Sequence, residues 1–126
     1  IKWVGKLRMK NKRRLIMSTI KYHSLSGNKI NFIKCWKGTS YPHWRVLSDI
    51  AWKLINQGYD IMTEVEFNTF GRADLVAING CGDGFIIEVL HTEDEREFED
   101  KVSKYPPIFD IVKVKTKDFD LNLWDL

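Results

Sequence analysis

The sequence predicts an α/β domain in which a helix, a three-stranded antiparallel meander, a second helix and a last strand follow one another, with a basic β-hairpin ahead of them. Three observations predict it. Apolar residues recur at helical spacing after Pro42, where Trp44, Leu47, Ala51 and Leu54 form one stripe with Ile50 and Ile55 beside them. Three β-forming runs then come in quick succession, "YDIMTEVEF", "RADLVAI" and "FIIEVLH", parted only by "NTFG" and "NGCGDG". Connections that short make the three strands antiparallel neighbours. A second helical stripe, Phe98, Val102 and Tyr105, gives way at Pro106-Pro107 to "FDIVKVKT", a strand that returns by a crossover and so can run parallel to one of the others.

Each element has its own justification. Residues 1–16, "IKWVGKLRMKNKRRLI", read as a basic N-terminal arm, either flexible or folded as a short amphipathic helix on Trp3, Val4 and Leu7. Residues 17–126 form a single domain. It opens with a hairpin over 19–36, because "STIKYHSL" and "KINFIKCW" flank the turn residues "SGN". The core spans 42–116. Its first helix starts with Pro42, a residue suited to a first turn, and stops at Gly58 after Asn56-Gln57. In the first meander strand, alternation sends Ile61, Thr63, Val65 and Phe67 to one face and Met62, Glu64 and Glu66 to the other. The second helix opens at Thr92, with Glu95 at the capping-box spacing. The last residues, "DFDLNLWDL", pack back through Phe119, Leu121, Leu123 and Trp124.

Composition narrows the function classes. At 126 residues, 44% apolar and 29% charged, the chain is an ordinary globular domain. No apolar run approaches the roughly 20 residues that cross a bilayer, and no signal-peptide pattern opens the chain, so no membrane partner and a cytoplasmic location are expected. Cys35 and Cys81 are too few and too isolated for a metal knuckle and read as free thiols.

The net charge of +3 hides a segregation. Residues 1–48 hold twelve Lys and Arg and no acid, whereas residues 49–126 hold eight bases and all seventeen acids, giving +12 and −9. Such a split predicts a polyanionic partner. In the hairpin, Lys21, Lys29, Lys34 and Lys37 interleave with Tyr22, Phe32 and Trp36. That pattern suits nucleic acid, with rings on bases and ammonium groups on phosphates. The bland alternative, rings in a core and lysines in water, stands beside it.

Two carboxylates need explaining. Asp74 and Glu88 each sit among apolar residues, and burying a carboxylate is costly unless something meets it. Counted outward from the turn, they lie at comparable distances on adjacent strands, so their side chains can converge. Glu64, or Glu66, on the preceding strand can add a third group. Converging carboxylates repel until a hard dication sits between them, and Mg²⁺ or Mn²⁺ suits oxygen ligands where no zinc-type His/Cys cluster exists. The competing reading pairs Asp74 with Arg72 or Lys53, and Glu88 with a lysine. Two other signals are set aside. "GCGDG" is too short for a phosphate-binding loop and has no helix after it, and the acidic run "EDEREFED" lies in and around a helix's first turn.

These features resemble the core of the restriction-endonuclease-like, or PD-(D/E)xK, nuclease superfamily. The resemblance rests on the element order, on Asp74 within "GRAD" and on Glu88 within "GFIIEVLHTE", and covers residues 43–115. It implies that Asp74 and Glu88 hold a metal ion, with Glu64 as the additional acid and Glu66 its closest substitute. One departure stands out: Leu90 occupies the place where the family has its lysine. Lys101 and Lys104 share a helix face with Glu97, at i+4 and i+7, and Lys101 is the first choice to replace it. Its alternative is an ion pair with Glu97. His91, adjacent to Leu90, should point to the opposite face from Glu88. His43, at the start of the first helix, is a phosphate contact or a cap.

The expectation is a Mg²⁺- or Mn²⁺-dependent endonuclease that hydrolyses phosphodiester bonds, DNA before RNA. Asp74, Glu88, Glu64 and Lys101 would be catalytic, and Lys21, Lys29, Lys34, Lys37, Arg45 and Arg72 would bind the backbone. A homodimer would place two such sites on two strands. The alternative is a catalytically degraded nucleic-acid-binding or assembly protein on the same scaffold, with Leu90 marking lost chemistry.

Overall fold

The computed structural model describes residues 2–24, 27–35, 37–91 and 95–126, and for residues 2–9 the backbone alone. The stripe of Trp3, Val4 and Leu7, the hairpin ring Trp36 and the cap at Thr92 therefore lie outside the described residues. In chain order the elements are α1 (Lys2–Ser18), β1 (Ile20–Tyr22), α2 (Tyr41–Asn56), β2 (Asp60–Phe67), β3 (Arg72–Ile78), β4 (Gly84–Leu90), α3 (Glu95–Val102) and β5 (Asp110–Lys115), with a 3₁₀ turn at Thr116–Asp118. The five strands form one mixed sheet in sequence order. β1 to β4 are antiparallel, and β5 runs parallel to β4 after the α3 crossover. The α/β class, the meander and the returning strand all follow the sequence expectation.

The sheet separates two cores. On one face α2 lays Val46, Leu47, Ile50, Ala51 and Leu54 against Ile61, Leu75, Ala77, Ile87, Val89 and Val114. On the other, Met62, Val65, Phe67, Ala73, Val76 and Ile86 meet Ile16 of α1 together with Tyr105 and Phe109. The arm is thus a helix with a docked end, pinned by Lys12 to Asp83 at 2.8 Å and Arg13 to Asp60 at 2.7 Å.

Three expectations are corrected. The hairpin over 19–36 does not form among the described residues: β1 pairs with β2 instead, Ile20 opposite Phe67. The reason is local. Ser24, Asn28 and Asn31 all take left-handed φ values, and their side chains capture backbone groups that a ladder would need. Asn28 Oδ1 accepts the His23 N–H, Ser24 Oγ donates to the Lys29 carbonyl, and Asn31 Oδ1 accepts the Ile61 N–H. Second, side-chain alternation in β2 reverses. Ile61 faces α2, whereas Val65 and Phe67 face α1, because Glu64 sits at φ 47° and turns the strand over. Third, Phe119 and Trp124 do pack on the α2 core, but Leu123 is exposed. Lys53 Nζ holds this tail by donating to the carbonyls of Leu121 and Trp124, so it is not the partner of Asp74.

A candidate acidic site where two strands part

β3 and β4 pair in register from Ile78–Gly84 to Leu75–Ile87, and pairing stops there. Continuing that register would set Asp74 opposite Glu88. Instead the strands part, and the Asp74 carboxylate fills the gap: its Oδ2 accepts the Val89 N–H at 2.9 Å. A side chain replaces the backbone carbonyl of a strand, which fixes the carboxylate against the next ribbon. From α2, His43 Nε2 approaches the same oxygen at 3.3 Å.

Glu88 is fully buried. The Tyr105 hydroxyl donates to its Oε1 and also lies 2.8 Å from the Arg72 carbonyl oxygen. Oε2 has no hydrogen-bond donor on it. The nearest cation is the Lys101 ammonium, 3.9 Å away and beyond hydrogen-bond distance. An ionised carboxylate oxygen left in that state is costly. Burial, then the charge of Asp74, push the Glu88 carboxyl up to about 8, against the pull of Tyr105 and Lys101. Burial pushes Asp74 up as well, but the hydrogen bond and charge of His43, the Val89 N–H and a bond from Glu88 outweigh it and hold Asp74 below its ordinary value. Of the two acids, Glu88 is thus the one pushed toward its protonated form and Asp74 the one held toward its ionised form. His43 is raised in turn, first by its bond to Asp74. Glu64, half-buried, is raised by burial and then by Asp74.

The sequence-predicted residues divide cleanly. Asp74, Glu88, Glu64, Lys101 and His43 come together. Glu66 lies apart, opposite Arg72 and held by Lys21 at 3.8 Å and by the Tyr22 hydroxyl. His91 Nδ1 is engaged by Thr116 Oγ1 at 2.8 Å, a strand-end histidine with a polar partner. Arg72, Lys101 and Lys104 line one cleft with Phe70, Gly71 and Asp100. Arg45 sits 4.0 Å from Asp49 on α2. Lys29 lies over the Phe32 ring at 5.5 Å, and Lys34 and Lys37 are exposed in the irregular segment that replaces the predicted strand.

Two partners escaped sequence reasoning. Tyr105 reads as a core ring, yet its hydroxyl holds Glu88. Tyr105 lies past the last residue of α3, so helical spacing did not announce this contact. The tie between His43 and Asp74 joins residues 31 apart and left no spacing signal either.

Among the described residues no group of three His, Cys, Asp or Glu forms a ready-made metal cage. Asp74 and Glu88 are nevertheless oxygen donors of the kind a hard dication takes. Magnesium is commonly held by one or two carboxylates while keeping several waters, and Glu88 offers a buried oxygen with no donor on it beside an ionised Asp74. No family model, curated protein or solved structure matches the chain, so the chemistry of this site carries the functional reading.

Proposed function

We propose that the chain is a metal-dependent endonuclease on a restriction-endonuclease-like core, hydrolysing phosphodiester bonds in DNA in preference to RNA. The observation that carries this reading is the fully buried Glu88, paired with Asp74 and approached by Lys101 at 3.9 Å. Asp74 and Glu88 would hold Mg²⁺ or Mn²⁺, with Glu64 in support. When bound, such an ion supplies a water acidified toward hydroxide and neutralises charge on the phosphate.

The chain's own groups prepare the site. His43 and the Val89 N–H fix the Asp74 carboxylate in one rotamer and keep it ionised. Tyr105 fixes Glu88, whose proton leaves when a cation takes its place. The Lys101 ammonium takes the place that Leu90 cannot fill: it arrives from α3 instead of from the strand, and can steady negative charge developing on a phosphoryl oxygen. Leu90 itself is a buried core residue. The basic N-terminal third supplies backbone affinity.

The test uses Asp74→Asn and Glu88→Gln with Mg²⁺ and linear or supercoiled DNA. Both should lose cleavage by on the order of a hundredfold or more, while gel-shift affinity in EDTA stays near wild type. If both variants cut DNA as wild type does, the assignment fails. If no variant and no wild-type preparation cuts, yet DNA is bound, the chain is a binding protein on this scaffold.

A further inference from the structure

Phe70 is 77% exposed at the β2–β3 turn and holds a left-handed φ of 68°. A bulky ring in that conformation costs backbone energy and here returns nothing to either core. The turn that carries it is not slack. Asn68 donates from its N–H to the Thr19 carbonyl at 2.8 Å and from Nδ2 to the Ser18 carbonyl at 2.9 Å. Thr69 Oγ1 donates to the Lys104 carbonyl at 2.5 Å. Gly71 permits this approach, since a Cβ there would meet the Lys104 oxygen at 2.8 Å. The ring is therefore aimed at solvent by a turn clamped to the end of α1 on one side and the end of α3 on the other.

Cations outnumber acids around the ring, with Glu66 lying 3.8 Å from Lys21 and Asp100 in the adjoining cleft. Lys21 Nζ lies 5.8 Å from the ring centroid. Phe70 also lines the cleft in which Arg72, Lys101 and Lys104 face the single acid Asp100. Lys101, one wall of this cleft, is also the residue whose ammonium lies 3.9 Å from the buried Glu88. An apolar protein partner would gain little from these cations, whereas a nucleotide uses both: phosphate on the lysines and arginine, base on the ring.

We propose that Phe70 is a stacking platform for an unpaired base, so that the substrate is a single-stranded stretch of nucleic acid or a strand end freed from its duplex. In a duplex the base faces are already covered by their neighbours. An unpaired base is free to leave its strand for the ring while its phosphate enters the cleft. The inference rests on the nuclease reading for the purpose of the site and adds its substrate class.

Binding and cutting are tested separately on the full chain. In EDTA, a short oligothymidine carrying one 2-aminopurine reports stacking through fluorescence quenching. Wild type should quench it. Phe70→Asn suits the left-handed turn; it should abolish the quench and weaken single-strand affinity roughly tenfold, with duplex affinity changed less than about twofold. Phe70→Trp should restore both. A wild type that binds no single strand, or a Phe70→Asn variant that quenches and binds as wild type, overturns the platform. With Mg²⁺ added, quenching without cutting leaves the platform standing and sinks the nuclease reading. Cutting with an unaltered Phe70→Asn quench does the reverse.

Discussion

At the scale of single residues, Glu88 sets the behaviour of the site. Below its ordinary value of 4.5 it is protonated whether the chain is folded or not, and above about 8 it is ionised in both. Between those limits the folded protein keeps a proton that the unfolded chain has released, so stability falls as pH rises through the window. His43, also raised, acts in the same direction. Asp74, held low, contributes stability that is lost only as pH drops below its ordinary range. One proton changes the folding equilibrium by at most about tenfold per pH unit. Thermal melts in EDTA should therefore show Tm declining from pH 5 to pH 9, and Glu88→Gln should flatten much of that decline. A wild-type Tm that rises over the same range contradicts the buried, protonated Glu88. For Lys101, the expected result of Lys101→Ala is a fall in kcat on the order of a hundredfold, with Lys101→Arg partly active. The same loss in Leu90→Lys/Lys101→Ala would show that position 90 cannot recover the role.

At the scale of elements, the site exists because two strands stop pairing. Asp74 enters the gap between β3 and β4, and the reversal of β2 at Glu64 lies beside it. Neither feature breaks the sheet, because pairing of β2 with β3 keeps one register on both sides, Thr63 with Leu75 and Val65 with Ala73. The docking of α1 depends on Gly84 in β4. A Cβ there would lie 2.7 Å from Ile16 Cδ1 and 2.8 Å from the Phe109 ring, so Gly84→Ala must displace both. Overpacking of this kind costs about 1–3 kcal/mol. Urea denaturation should show a lower midpoint for Gly84→Ala, with the slope unchanged.

At the scale of the whole molecule, charge is divided along the chain while the acids and bases still meet. Asp83 and Asp60, from the acidic part, bind Lys12 and Arg13 of α1. Lys34 and Lys37 remain exposed, as the proposed contact with a nucleic-acid backbone requires. Affinity for DNA should fall steeply with salt, and Lys34→Ala and Lys37→Ala should each lower the log–log slope by about one. An unchanged slope in both variants would remove the irregular segment from the nucleic-acid interface. None of the described helices is long and apolar enough to cross a membrane.

The sequence by itself determined the elements from Pro42 onward, because apolar periodicity and short turns are local signals that no distant contact overrode. It also determined that Asp74 and Glu88 lie on adjacent strands at matching distances from a tight turn, although regular pairing stops one residue short of them. Residues 19–36 misled because alternating β-formers were outweighed by Ser24, Asn28 and Asn31, whose side chains bonded the backbone themselves. The parting of β3 and β4, the turnover at Glu64 and the Tyr105 and His43 contacts were decided only in the tertiary structure. Each depends on where a distant element lies, and a one-dimensional pattern does not contain that distance.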